Sequence, residues 1–184
     1  IVGKSSKLHI TKAIQATVDE AIEMAVDTIN YLVQNKKKVF FDAEHFFDGY
    51  KANPDYALAC VRAARDGGAA WVVLCDTNGG TLPDEVFDIV SSVKKAHPDV
   101  PIGIHCHNDA GVAVANSLAA IAAGARQVQG TINGLGERCG NADLITLIPT
   151  LVLKTDYETS INEANLPKLM GLSRFLDDRL NRSP

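Results

Sequence analysis

The chain has 184 residues, a formal net charge of −4 and 46% hydrophobic residues, a composition typical of one globular domain with a substantial core. Nucleic-acid binding needs clustered Lys and Arg, and the one marked cluster, residues 36–38, fits a solvated loop. No apolar run reaches the roughly 18 residues of a membrane-spanning helix, and the first residues lack the features of a signal peptide. We therefore expect a cytoplasmic protein that binds neither nucleic acid nor a membrane.

Apolar runs rich in β-branched residues recur along the chain, and each is followed by a turn and a helical pattern. They lie at residues 39–42, 71–77, 101–107 and 126–132, and residues 1–4 fit the end of an earlier strand. The spacing from one run to the next is that of one strand, one helix and two short connections. Near-continuous apolar strands indicate a parallel sheet that is covered on both faces.

The helices between these runs have their own start and stop signals. Thr17 and Glu20 form a capping box, and apolar residues then recur at helical spacing. Pro54 and Pro83 open two later helices, and Gly67 closes the first of them. Right-handed β/α units follow from this alternation.

Two architectures use such units, the doubly wound sheet and the TIM barrel. A barrel needs eight strands over about 250 residues, and this chain has only four clear ones with a fifth at its start. We expect the C-terminal half of a (β/α)8 TIM barrel in residues 1–153, with four to five parallel strands. Residues 154–184 then form the start of a helical linker, and both ends look cut.

The four cysteines, Cys60, Cys75, Cys106 and Cys139, have no C-x-x-C spacing. A disulfide framework is therefore not expected. The first three fit small core residues in predicted helices and strands.

His105 and His107 make the segment at 103–109 the most informative part of the sequence. Successive side chains of a strand point to opposite faces, so both imidazoles project to the same side while Cys106 projects to the other. Two imidazoles on one face can hold a divalent ion, at the carboxyl end of a strand, where α/β proteins place their chemistry. Without other context, a packed or surface histidine pair explains the pattern equally well.

Two longer motifs strengthen the metal interpretation. They read His105-x-His107-Asn108-Asp109-x-Gly111 with Val114-Ala115-Asn116, and Asn133-Gly134-x-Gly136-Glu137-Arg138-x-Gly140-Asn141. They resemble the metal-dependent TIM-barrel acyltransferases and lyases that include 2-isopropylmalate, homocitrate and citramalate synthases and 3-hydroxy-3-methylglutaryl-CoA lyase. Residues 41–50 and 74–80 are most similar to the citramalate synthase branch.

The resemblance implies a role for each strand-end residue. His105, His107 and Asn141 are expected to bind a divalent metal, zinc, manganese or magnesium; Asn141 is also expected to begin the next helix, where capping is the alternative. Glu44 matches a catalytic Glu beside the acetyl-CoA and substrate sites. Thr77 matches the residue that binds the 2-oxo acid carboxylate, and Asp42, which shares strand parity with Glu44, is a weaker substrate-binding candidate.

Other loop residues are assigned structural roles. Glu137 and Arg138 are expected to pair with each other or with neighbouring strands, and Asp109 to hold a histidine ring or cap the next helix. Cys139 is interpreted as non-catalytic, although the lyases keep a functional Cys in the equivalent loop. The family's Asp-Arg-Glu-type strand end and the catalytic His of its linker subdomain lie outside this chain.

The function implied is an acyltransferase (EC 2.3.3.-) of branched-chain amino-acid biosynthesis. It condenses acetyl-CoA with a 2-oxo acid, pyruvate in the first place, by a metal-assisted Claisen reaction and thioester hydrolysis, and we expect a homodimer. The alternatives are a 2-isopropylmalate or homocitrate synthase, a lyase of the 3-hydroxy-3-methylglutaryl-CoA type, and a non-catalytic metal-binding α/β domain. We expect the 184-residue chain by itself to be inactive.

Overall fold

Five short parallel strands form one sheet whose spatial order is the order of the chain. The computed structural model describes residues 1–181. The strands are β1 (Val2–Lys4), β2 (Phe40–Glu44), β3 (Trp71–Asp76), β4 (Ile102–Cys106) and β5 (Gln127–Gln129). This arrangement confirms the predicted half of a β/α barrel, including a strand within residues 1–4.

Helices connect the strands and continue beyond the last of them. They are α1 (Lys7–His9), α2 (Val18–Gln34), α3 (Phe46–Ala52), α4 (Pro54–Asp66), α5 (Pro83–Ala96), α6 (Ala113–Ala122), α7 (Leu144–Lys154) and α8 (Pro167–Leu180). Short π and 3₁₀ turns lie at Ile10–Ile14, Ile132–Gly134 and Glu163–Asn165. Within the described part of the chain, none of the helices has the length and apolar character needed to cross a membrane.

The helix starts follow the sequence signals. Oγ1 of Thr17 accepts a hydrogen bond from the Glu20 backbone N–H at 3.2 Å, and the Glu20 carboxylate accepts one from the Thr17 backbone N–H at 2.7 Å. Both orphan amides at the start of α2 are therefore satisfied. Pro54 and Pro83 occupy the first turns of α4 and α5, where a missing N–H has no cost.

The two faces of the sheet differ in chemistry because side chains alternate along each strand. Phe41, Val72, Leu74, Ile102 and Ile104 are almost fully buried against the helices and form the centre of the apolar core. The opposite face is mostly polar at its carboxyl end and carries Asp42, Glu44, His105 and Gln129. The strands are thus less uniformly apolar than a parallel sheet covered by helices on both faces would require.

The polar face is concave. Nε2 of Gln129 on β5 donates a hydrogen bond to Oδ1 of Asp42 on β2 at 2.9 Å, although β3 and β4 lie between these strands in the sheet. Side chains of strands three places apart can meet only if the sheet curves around them, as it does in a barrel. The concave face is therefore the interior of a partial barrel.

The structure differs from the sequence predictions at the ends of elements. Strand β5 covers only Gln127–Gln129 rather than 126–132, and Thr77 lies one residue beyond the end of β3. The helix predicted to begin at Asn141 begins at Leu144, because the Asp143 side chain accepts from the Ile145 backbone N–H at 2.9 Å and caps it. The predicted linker, 154–184, holds the 3₁₀ turn and α8; residues 182–184 lie outside the described residues.

Candidate active site

A cavity of about 250 Å³ opens at the carboxyl ends of the strands. Its lining includes all six predicted site residues: Asp42, Glu44, Thr77, His105, His107 and Asn141. They come from β2, from β4 and from the segments that follow β3, β4 and β5. The structure therefore brings together side chains that are widely separated in the chain.

His105 is held between two carboxamides. Its Nδ1 lies 2.7 Å from Oε1 of Gln129, and its Nε2 lies 2.9 Å from Oδ1 of Asn141. The Asn141 amide nitrogen donates to the Leu135 carbonyl at 2.8 Å, which fixes its oxygen toward His105. Since both oxygens only accept, the ring needs a proton on each nitrogen or a cation beside Nε2.

His107 lies beside His105, with the ring centroids 5.1 Å apart. It is buried, and its Nδ1 has no hydrogen-bond partner among the described residues. Burial lowers the pKa of His107 below its ordinary value, although the Glu137 carboxylate, 3.6 Å from Nε2, acts in the opposite direction. The ring is therefore biased toward the neutral form, which is the form that binds metals.

The glycine-rich loop after β5 folds back against the end of β4. Residues His107 and Asn141 form an isolated antiparallel bridge, and the amides of Asn108 and Ala142 donate to the carbonyls of Gly140 and Cys106, both at 2.9 Å. Gly140 has φ +88°, a conformation that favours glycine. Asn141 thus reaches the cavity from a loop rather than from the first turn of a helix.

Thr77 and Glu44 lie on the other side of the cavity. Oγ1 of Thr77 accepts a hydrogen bond from the backbone N–H of His45 at 2.7 Å. The Glu44 carboxylate pairs with the Lys4 ammonium, and both side chains are about one quarter exposed. Glu44 thus lies in the cavity with a cationic partner from β1.

A stacked pair of imidazoles lies beside Glu44, and the sequence analysis did not identify it. The rings of His9 and His45 are 3.6 Å apart and inclined by only 6°. Burial is the largest cause that lowers the pKa of His45, and the neighbouring His9 imidazole is the second. His45 also has φ 57°, a left-handed conformation directly after β2. No pattern of apolar residues indicates this stacking, because it joins a helical turn near the start of the chain to a strand end.

Arg138 joins the glycine-rich loop to the two preceding strand ends. Its guanidinium donates to both oxygens of Asp109, at 2.8 and 2.9 Å, and to the Thr77 carbonyl at 2.7 Å. The predicted pairing of Glu137 with Arg138 occurs at 4.0 Å. Asp109 neither holds a histidine ring nor caps a helix, which corrects that expectation; Arg138 lowers the pKa of its carboxyl group.

The side chains in the cavity offer nitrogen and oxygen donors to a divalent ion. No cluster of three His, Cys, Asp or Glu side chains that could hold a metal occurs in residues 1–181, so the candidate set is two imidazoles and one carboxamide. Two observations fit such an ion: the Asn141 oxygen, fixed by the Leu135 carbonyl, lies 2.9 Å from Nε2 of His105, and the buried Nδ1 of His107 has no hydrogen-bond partner among the described residues. Nitrogen and oxygen ligands of this kind suit zinc, manganese or magnesium.

A larger cavity of about 730 Å³ lies elsewhere, between β5, α7 and residues 157–161. Its lining is mainly aliphatic and includes none of the six site residues. Because chemistry requires polar groups that converge on a reactant, we place the candidate site in the smaller cavity.

Known proteins similar to this chain agree on one family. The model of the family described as HMGL-like matches residues 1–175. An (R)-citramalate synthase from Aquifex aeolicus is 54% identical over 181 residues, which cover 98% of this chain and 34% of that protein. A probable 2-isopropylmalate synthase from Methanopyrus kandleri is 38% identical over 168 residues, 91% of this chain and 33% of that protein.

A solved structure shares the fold. It is an HMG-CoA lyase from Acinetobacter baumannii in complex with coenzyme A and 3-methylmalate, with a TM-score of 0.78 and 26% identity. The match covers 99% of this chain and 61% of that one. The chain spans about a third of the length of the curated relatives it matches.

Proposed function

Because the chain belongs to the HMGL-like family, we propose that it forms half of the catalytic barrel of a citramalate synthase. This enzyme joins acetyl-CoA to pyruvate and releases citramalate and coenzyme A. The observation that carries the proposal is the single cavity in which a carboxylate, a hydroxyl, two imidazoles and a carboxamide converge. The relative at 54% identity supports the same reaction.

We assign a divalent metal ion to His105, His107 and Asn141. When bound, such an ion polarises the ketone of a 2-oxo acid as a Lewis acid. The chain's contribution is to keep His107 neutral by burial and to aim the Asn141 oxygen at the site through the Leu135 carbonyl. A protein donor from outside this chain completes the ligand set.

Thr77 binds the carboxylate of the 2-oxo acid. Its oxygen already accepts a hydrogen bond from the His45 backbone N–H, so the hydroxyl remains able to donate a hydrogen bond into the cavity that Thr77 lines. Asp42, on the neighbouring strand, is a second substrate-side residue. An ionised carboxylate only accepts hydrogen bonds, so Asp42 suits a contact with a hydroxyl donor better than a contact with a carboxylate.

Glu44 takes the proton that leaves the methyl group of acetyl-CoA. The resulting carbon nucleophile attacks the ketone carbon of pyruvate, a carbon–carbon bond forms, and the ketone oxygen gains a proton. Water then adds to the thioester, the carbon–sulfur bond breaks, and the sulfur leaves as the coenzyme A thiol. The Lys4 ammonium lies beside the carboxylate that receives this proton.

The rival functions are less well supported. A 2-isopropylmalate synthase is the second candidate, since a relative of that name is 38% identical. The glycine-rich loop, Gly-Glu-Arg-Cys-Gly-Asn, follows the synthase pattern and argues against a lyase. A non-catalytic binding domain does not account for Glu44 and Thr77 in the same cavity as the histidines.

The organisation of the protein is part of the proposal. Residues 1–153 are the barrel portion, and the helical turn and α8 that follow belong to a linker. We place the enzyme in the cytoplasm as a homodimer, with acetyl-CoA and a small 2-oxo acid as its substrates.

The test is an assay of substrate choice. The full-length protein that carries this chain is incubated with acetyl-CoA, manganese and one of three 2-oxo acids, and free thiol is followed over time. We expect pyruvate to be used in preference to 2-oxoisovalerate and 2-oxoglutarate, with citramalate identified by mass spectrometry. A preference for 2-oxoisovalerate would instead assign the protein as a 2-isopropylmalate synthase.

A further inference from the structure

Three side chains on three strands form a continuous hydrogen-bonded line across the concave face of the sheet. Oδ1 of Asp42 on β2 accepts from Nε2 of Gln129 on β5 at 2.9 Å. Oε1 of the same Gln129 lies 2.7 Å from Nδ1 of His105 on β4. No sequence motif singled out Gln129, and the proposed reaction does not use it.

The carboxylate decides which way the amide faces. An ionised carboxylate only accepts hydrogen bonds, so Gln129 must present its NH₂ group to Asp42 and its oxygen to His105. That oxygen also only accepts, so Nδ1 of His105 must carry a proton. The opposite amide orientation would place two acceptors together at the Asp42 end.

The remaining nitrogen of His105 is thereby left as the ligand. With the Nδ1 proton committed to Gln129, the neutral ring has its lone pair on Nε2, the nitrogen that lies 2.9 Å from Oδ1 of Asn141. Histidines that bind metals are commonly oriented by a partner on their other nitrogen. Here the partner of His105 is the side-chain amide of Gln129, and the Asp42 carboxylate orients that amide from its other end.

We propose that Gln129, oriented by Asp42, is a positioning residue that fixes the His105 tautomer and selects Nε2 as its metal-binding nitrogen. The inference rests on the proposed function only in assigning an ion to this cavity. The proton on Nδ1 of His105 follows from the hydrogen-bond network alone, whereas the free lone pair on Nε2 requires the ion. Gln129 therefore acts on the reaction through His105, and Asp42 has this orienting role in addition to its place on the substrate side of the cavity.

The test replaces the two side chains, Asp42 and Gln129, that determine which atoms of the network donate and which accept. Gln129→Leu removes the acceptor for Nδ1–H, and Asp42→Asn lets the Gln129 amide face either way. Gln129→Glu places two carboxylates within hydrogen-bond distance of each other. The double variant Asp42→Asn/Gln129→Glu restores one amide, one carboxylate and the same net charge, with an acceptor oxygen, now that of a carboxylate, again facing Nδ1.

Two measurements on the full-length protein report on the proposal, the first on the metal-free form as zinc is added and the second on the zinc-loaded form. Zinc affinity is measured by calorimetry, and the nitrogen that carries the His105 proton is identified by NMR of ¹⁵N-histidine-labelled protein. We expect zinc affinity to fall about 10- to 100-fold in Gln129→Leu, the usual effect of losing an outer partner of a ligand. The double variant should recover the affinity and show the proton on Nδ1.

Gln127→Leu is the matched control, because Gln127 lies two residues away on the same strand and its Oε1 has no hydrogen-bond partner among the described residues. It should leave affinity and tautomer unchanged. Unchanged affinity in Gln129→Leu, a proton on Nε2 in the wild type, or no recovery in a folded double variant would overturn the proposal. A correct tautomer in a protein without acyl transfer would refute the proposed function alone.

Discussion

The backbone N–H of His45 donates a 2.7 Å hydrogen bond to the side-chain oxygen of Thr77. This bond joins the end of β2 to the residue that follows β3, and it orients the Thr77 hydroxyl. This hydrogen bond occupies one lone pair of the oxygen and leaves the O–H group available. Thr77 can therefore donate a hydrogen bond into the cavity that it lines.

Thr77→Val should weaken binding of the 2-oxo acid. Hydrogen bonds to charged groups contribute about 1.5–3 kcal/mol, so we expect KM for pyruvate to rise by roughly 10- to 100-fold while kcat changes less. Thr77→Ser keeps the hydroxyl and is the control, with KM close to the wild-type value. Steady-state kinetics decide the matter, and equal KM values for the two variants would remove Thr77 from substrate binding.

Glu44→Gln should depress turnover and leave metal binding intact. The amide cannot take up a proton, and a general base typically contributes about 10²- to 10⁴-fold in rate. The residue lies in the cavity but outside the proposed ligand set, so metal content measured by atomic absorption should stay near that of the wild type. Full turnover in the Glu44→Gln variant would show that another group accepts the methyl proton.

Gly136→Ala should weaken metal binding through Asn141. A Cβ at position 136 would overlap the amide nitrogen of the Asn141 side chain, so the carboxamide would have to move away from His105. Gly80→Ala is the control, because nothing lies within 4 Å of a Cβ built there. We expect calorimetry to show about a tenfold or larger loss of zinc affinity for Gly136→Ala alone. Equal affinities would mean that Asn141 is not a ligand.

His107 should titrate below the ordinary histidine pKa of about 6.5. Burial disfavours the imidazolium, so the folded protein binds this proton less tightly than the unfolded chain does. Across the window between the lowered pKa and about 6.5, this group makes the folded state lose stability as the pH falls. Glu137→Gln removes the charge that opposes the shift and should lower the pKa further. NMR titration of the metal-free protein measures both values, and a pKa at or above about 6.5 would contradict the prediction.

Cys139 should be the first of the four cysteines to react with a maleimide. It is exposed, whereas Cys60, Cys75 and Cys106 are buried and burial raises the pKa of each of their thiols. Peptide mapping by mass spectrometry of the native and the urea-unfolded protein checks the order. Cys139→Ser should also retain condensation activity; abolished activity would favour the lyase-type interpretation of the loop.

The alternation of residue types along the sequence was sufficient to predict the strands and which of their side chains project to the same face. Alternation along β2 and β4 placed Asp42 with Glu44 and His105 with His107, and in the structure all four line one cavity. Gln129 could not be found in this way, because its partner Asp42 is 87 residues distant in the chain. The sequence did offer one indication of Gln129. It is a polar residue in a strand predicted to be interior, and it projects to the same face as Gln127, two residues before it.

The start of α7 shows why a residue that lines the cavity can be given the wrong local structure from the sequence. Asn141 and Asp143 are both residue types that cap helices, and the sequence does not say which one does so. The Asp143 carboxylate caps because it reaches the Ile145 N–H, while the Asn141 carboxamide is held by Leu135 and His105. Tertiary contacts, which follow from the fold of the whole loop, therefore determine that Asp143 rather than Asn141 caps α7.

The backbone bridge between His107 and Asn141 also determines when the conformational entropy of the site is lost. Ordering a loop residue costs about 1–2 kcal/mol, and the bonds of Asn108 and Ala142 hold this loop against β4 in the folded chain. The loop is thus ordered when the chain folds, so ligand binding does not incur this entropic cost again. The amide hydrogens of these two residues should accordingly exchange with solvent as slowly as those of a strand, although they belong to loops.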